Sequence, residues 1–187
     1  MSSVRQFKQW SPVIGNKVFI DASAVVLGNV TLGDDVSVWP QVSIRGDMHS
    51  ISIGSRTSVQ DNSVLHITHA GPFNADGWPL VIGSDVTIGH SVTLHGCHIG
   101  SRVLIGMGAI VMDGATVEDE VVIAAGALVT PRKTLASGFL YAGSPAKQIR
   151  PLTSKELEFF TYSANNYVRL KDEYIDHYGP GYASEKP

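Results

Sequence analysis

The chain has one cysteine, Cys97, so no disulfide can form within it. A lone thiol fits a reducing compartment. Charge is scarce as well, at 17% of residues, and it nearly cancels: 14 Lys and Arg stand against 17 Asp and Glu. Such a balance leaves no electrostatic footprint for nucleic acid or for a membrane surface. No apolar run is long enough to span a bilayer. The opening stretch MSSVRQFKQWSP lacks the apolar core of a secretory signal. The expectation is a soluble cytoplasmic protein with no nucleic-acid or membrane partner.

Glycine, by contrast, is plentiful, with 19 residues, and Val and Ile recur in short steps. That points to many short strands and turns rather than a helical bundle. The steps have a period of six. Aliphatic residues open hexads at Ile14, Ile20, Val26, Leu32, Val38 and Ile44, then at Ile53, Val59 and Leu65. They resume at Ile82, Ile88 and Leu94, and run from Ile99 through Ile105, Val111, Val117, Ile123 and Val129 to Leu135. Three irregularities interrupt the count: a long IRGDMHSIS, a loop over 66–80, and a short LHGCH. Six is a multiple of two, so the pattern keeps one face of a strand apolar, whereas a helix would smear it. A β-sandwich would need hairpin turns at wider spacing. The period predicts a parallel β-helix of hexapeptide repeats.

Tandem aliphatic-Gly hexads such as Ile82-Gly83 and Ile88-Gly89 resemble the left-handed parallel β-helix family, which includes hexapeptide acyltransferases and γ-class carbonic anhydrases. The resemblance implies an all-β fold in which three hexads form one triangular coil and three chains form a trimer. It implies a β-helix domain over residues 1–150. After Pro151, Thr153-x-x-Glu156 reads as a capping box. Leu157, Phe160, Ala164, Tyr167, Leu170 and Tyr174 then recur at helical spacing. The expectation is a C-terminal helix, 151–178, laid along the β-helix, and a flexible tail, 179–187.

Five of the seven histidines fall between 66 and 98. His66 and His95 each follow a hexad start by one residue, which stacks them on adjacent coils at one corner, about 4.8 Å apart. Both rings can reach one metal ion there. His90 lies two residues after its start, on another side, and reaches such an ion only from a neighbouring chain. Three histidines leave a coordination position open, the pattern of catalytic zinc. The alternative is three unrelated surface histidines. His69 and His98 lack the registry and read as structural or solvent-facing.

The motifs IRGD (44–47), VQDNSVLH (59–66), IGHSVTLHGC (88–97) and IGMGAIVMDGA (105–115), with YAGSPAKQIRPL and YSANNYV, resemble the γ-class carbonic anhydrases, and most of all their YrdA-like bacterial branch. The resemblance implies a lyase that hydrates CO2 to bicarbonate by metal-bound hydroxide at a trimer interface. It implies His66, His90 and His95 as ligands to Zn2+, with Fe2+ or Co2+ as alternatives, and active-site roles for Arg45, Asp47, Gln60 and Asp61. Gln60 would orient the nucleophile. Arg45 and Asp47 would pair across the interface. Asp61 would accept a histidine N–H or serve the interface, and Tyr162, Asn165 and Asn166 would line the site. The chain also departs from the family's archaeal prototype: Met48 stands where that protein has glutamate, and the acidic loop is absent. Two other functions stay open: an acyltransferase or thioesterase acting on acyl-CoA, and a metal-binding scaffold without turnover.

Overall fold

The computed structural model describes residues 3–181. Most hexads contribute a strand of two or three residues, after which the chain turns a corner. The result is a parallel β-solenoid of about eight turns with one C-terminal helix. Pairing between the solenoid strands is parallel, except that Lys147–Pro151 closes the C-terminal end antiparallel to Phe139–Ala142. In the regular stretches partners lie three hexads apart, as with Ile99 and Val117 or Ile105 and Ile123.

Three sides follow from this pairing. Side one stacks Ile44, Leu65, Leu94 and Val111. Side two stacks Ile53, Ile82, Ile99 and Val117. Side three stacks Val38, Val59, Ile88 and Ile105. Every one of these aliphatics is at most 3% exposed, so the hexad starts are the core. Their outward neighbours alternate with them, as a pleated strand requires. Each coil is too thin to bury its face alone, and stacking supplies the continuous core.

The three irregularities of the repeat coincide in space. Ser43–Ile53 is a single strand that bends from side one to side two, with a register shift opposite Gly28 and Val30. On the next coil the same corner carries the insertion after His66. On the one after, it carries the short turn after His95. The corner between sides one and two is therefore where successive coils deviate.

The other relevant corner, between sides three and one, is regular. Gln41, Asn62, Ser91, Gly108 and Gly126 occupy its stacked turns with φ between 58° and 69°. Asp61 and His90 precede two of these turns, so they also stack, and Ser91 N–H donates to the Asp61 carbonyl at 2.8 Å.

The C-terminal helix spans Ser154–Tyr178 and runs along side three. Thr153 and Glu156 form the reciprocal capping box. Its buried residues are Phe160, Ser163, Ala164 and Lys171. Leu157 differs from the sequence expectation and stays exposed. Lys171 is fully buried, with Nζ 2.8 Å from Asp35 and paired also with Asp172. Trp39 packs edge-on to Tyr167 and Tyr174, and its Nε1 donates to Ser58 Oγ. Past the helix, the Pro180 carbonyl accepts from Ile20 N–H. The rest of the expected tail, 182–187, lies outside the described residues. Among those described, no helix is long and apolar enough to cross a membrane.

Candidate metal centre

His66 and His95 are direct cross-strand partners on adjacent coils of side one. Their Nδ1 and Nε2 atoms face each other at 3.1 Å. The opposite nitrogen of each ring is held by a carboxylate. His66 Nε2 lies 3.1 Å from Asp47 Oδ1, and His95 Nδ1 lies 2.8 Å from Asp113 Oδ1. An ionised carboxylate only accepts, so in neutral rings these nitrogens carry the proton. The two facing nitrogens are then both acceptors. Lone pairs so placed call for a positive centre between them. Nitrogens bound tetrahedrally at 2.0–2.1 Å to one ion stand about 3.3 Å apart, close to the separation seen. The pair fits a divalent ion.

Electrostatics favour the same state. Burial pushes the His66 pKa down, and this outweighs the hydrogen bond that His66 donates to Asp47, which pushes it up. The ring is thus held neutral, as a ligand must be. Burial raises the Asp47 carboxyl, but hydrogen bonds from Arg45 and His66 and the Arg45 charge overcome it and hold Asp47 below its usual range.

Arg45 and Asp47 pair within the chain. The reason is local: residues i and i+2 of one strand share a face. Arg45 is half-exposed, and Asp47 bridges it to His66.

His90 stands at the opposite corner of side one, and its Nδ1 is 2.9 Å from Asp61 Oδ2. Trp39, Pro40, Gln60, Asp61, His90, Tyr167, Leu170 and Tyr174 line a groove of about 220 Å³ there. Gln60 is buried at 5% exposure. Among the described residues no group of three or more His, Cys, Asp or Glu within one chain is placed to hold a metal ion. One chain brings together His66 and His95 with Asp47 and Asp113, and separately His90 with Gln60 and Asp61.

Other residues go elsewhere. Asn165 accepts from Arg56 in the turn that precedes side three, Asn166 accepts from Arg169, and Tyr162 is exposed. None of the three meets a site histidine within the chain. Cys97 is buried, and burial pushes its thiol up to about 12, which makes it a poor nucleophile.

Two polar residues escaped the sequence reading. Asp113 holds His95, and Thr68 Oγ1 donates to the same Asp113 oxygen at 2.9 Å. Counting hexads would have found Asp113: Val111 pairs with Leu94, so residues just after each meet at one corner.

The chain resembles known proteins along most of its length. The family model described as bacterial transferase hexapeptide (six repeats) matches residues 11–46 and 96–131. The model described as hexapeptide repeat of succinyl-transferase matches 79–112. Protein YrdA of Escherichia coli K12 is 59% identical over 177 residues, which is 94% of this chain and 96% of that one. Gamma carbonic anhydrase 1, mitochondrial, of Arabidopsis thaliana is 41% identical over 86% of this chain and 58% of its own length. Among solved structures, a Bacillus cereus protein described as a putative acetyltransferase is 36% identical, with a TM-score of 0.86, over 92% of this chain and 96% of that one.

Proposed function

The chain belongs to the γ-class carbonic anhydrase family, on its YrdA branch, and from that premise we propose that it is a metalloprotein that reversibly hydrates CO2 to bicarbonate. Its site is shared between adjacent chains of a homotrimer: His66 and His95 come from one chain and His90 from the next. One observation carries this reading. Each of the three imidazoles has one nitrogen held by a carboxylate, through Asp47, Asp61 and Asp113, at 2.8–3.1 Å. Such partners fix the ring tautomer and raise ligand basicity.

The three histidines would hold Zn2+, with Fe2+ or Co2+ as alternatives. A divalent ion there supplies Lewis acidity that makes water acidic near neutral pH. The protein's own groups do the rest. Asp47 stays ionised and keeps His66 in its ligand tautomer. The Gln60 amide, buried beside His90, orients the oxygen that attacks CO2. Arg45 presents a half-exposed guanidinium suited to the bicarbonate product. The insertion over 67–79 carries no glutamate to export the proton.

The test is metal analysis of protein purified without added metal, with CO2 hydration measured on the same sample and on a His95→Ala control. Hydration above the control supports the enzyme. A trimer loaded with Zn2+ or Fe2+ that shows none overturns it and leaves a metal-binding scaffold. A second reading, transfer or hydrolysis of an acyl-CoA, draws on a larger apolar groove of about 460 Å³ beside side two, lined by Trp78, Pro79, Val81 and His98 among others. Saturation transfer from CoA to the protein would favour that reading.

A further inference from the structure

The insertion after His66 is a β-hairpin. Thr68 pairs antiparallel with Trp78, and Gly71 with Asn74, so Pro72 and Phe73 form a two-residue tip. Its root is braced. Thr68 and Trp78 exchange backbone hydrogen bonds at 3.0 and 2.8 Å. Trp78 packs over Gly96 and Gly114, and His49 Nε2 lies 3.2 Å from the Asp76 carbonyl. Yet Phe73 at the tip is 99% exposed. A braced finger ending in a fully solvated phenyl ring does nothing for the fold of its own chain. Large aromatics of this kind are the usual anchors of interfaces.

We propose that Phe73 of one chain fills the groove beside His90 of the next chain and forms a wall of the shared site. The pairing rests on the sharing of the site between chains proposed above. The finger leaves the chain one residue after His66. If His66 and His95 meet the neighbour's His90, the root of the finger arrives at the neighbour's groove. Five residues of strand from Thr68 to Phe73 reach about 17 Å, enough to lay the tip across it. The groove itself suits this occupant. Trp39, Pro40, Tyr167, Leu170 and Tyr174 line it opposite His90. Its volume of about 220 Å³ is below the common range of small-molecule pockets, roughly 300–1,000 Å³, and accepts a single aromatic side chain. The occupant is therefore a second copy of this chain.

Disulfide trapping tests the contact. Cys97 is buried and does not compete. The double variant Phe73→Cys with Leu170→Cys is oxidised gently in the metal-loaded protein, and each single variant serves as control. Interchain bonds in the double variant alone support the proposal. A double variant that trimerises and holds metal like the natural chain, yet forms no interchain bond, overturns it and leaves the shared site standing. A protein that sediments as a monomer, or a His90→Ala variant with undiminished metal, overturns the shared site and this contact with it. Phe73→Ala leaves the fold intact, because the ring touches nothing in its own chain, and it weakens trimer association about ten-fold or more. Unchanged association overturns the proposal.

Discussion

Asp113 holds His95 from the coil above, its Oδ1 2.8 Å from His95 Nδ1, and Gly96 is what makes the approach possible. At φ +51 Gly96 sits in the left-handed region, and a Cβ there would collide with the Asp113 carboxylate and with Trp78. Asp113→Asn is therefore expected to keep the fold and to lower metal affinity about 10–100-fold. Competition titration with a chromophoric chelator measures this. Gly96→Ala should produce a similar loss by displacing the same carboxylate. Unchanged affinity in both variants would remove Asp113 from the site.

Much of this corner was legible in the sequence, because a strict period makes every deviation visible. The hexad starts from Leu65 to Leu94 place His66 and His95 on one corner by counting alone, and the strand register agrees. The long IRGDMHSIS, the loop and the short LHGCH mark the same corner, since a solenoid tolerates changes of length only at its turns. Side-chain choices were less legible. Lys171 falls on the packed side of the helix and is fully buried, and Asp35, in a turn beneath the helix, pairs with its ammonium. Leu157 carried the right spacing, but it lies in the first turn of the helix, at its N-terminal end, and stays exposed.

Lys171 should be a strong point of stability. Its side chain is fully buried between Asp35 and Asp172, which retain 29% and 45% exposure. Removing the ammonium strands two carboxylates that water can still partly reach. Lys171→Ala is expected to cost about 2–4 kcal/mol, and Lys171→Met less, because it keeps the packing of the stem. Urea unfolding of both variants, followed by far-UV circular dichroism, gives the comparison. Equal stability of Lys171→Ala and the natural chain would contradict the anchoring role.

The capping box should make the start of the helix acid-sensitive. Hydrogen bonds from Arg150 and from Thr153 hold Glu156 down to about 2, from an ordinary value of 4.5. A depressed carboxyl stabilises the fold above its unfolded pKa and loses that contribution as pH falls through the folded one. The contribution is thus complete above about pH 4.5 and fades toward pH 2. Glu156→Gln should melt lower than the natural chain at pH 7, with the gap closing toward pH 2. Thr153→Ala should cost about 1 kcal/mol at neutral pH. Thermal melts across that range check both, and a gap that stays constant with pH would count against the pairing.

Sharing the site between chains has a consequence that no single-chain site can imitate. His66→Ala and His90→Ala each remove one ligand from every site, so each homogeneous variant should lose the metal while keeping its solenoid. In a mixed trimer the arrangement is cyclic. Wherever a His90→Ala chain offers its intact His66 and His95 to the intact His90 of a His66→Ala neighbour, one complete site forms. Every mixed trimer contains one such junction. Equal amounts of the two variants, unfolded together and refolded, should therefore recover about a quarter of the natural metal content if chains assemble at random. Hydration activity should return in step. Mixing the variants without unfolding should recover neither until subunits exchange. If the refolded mixture holds no more metal than the separate variants, His90 does not complete its neighbour's pair.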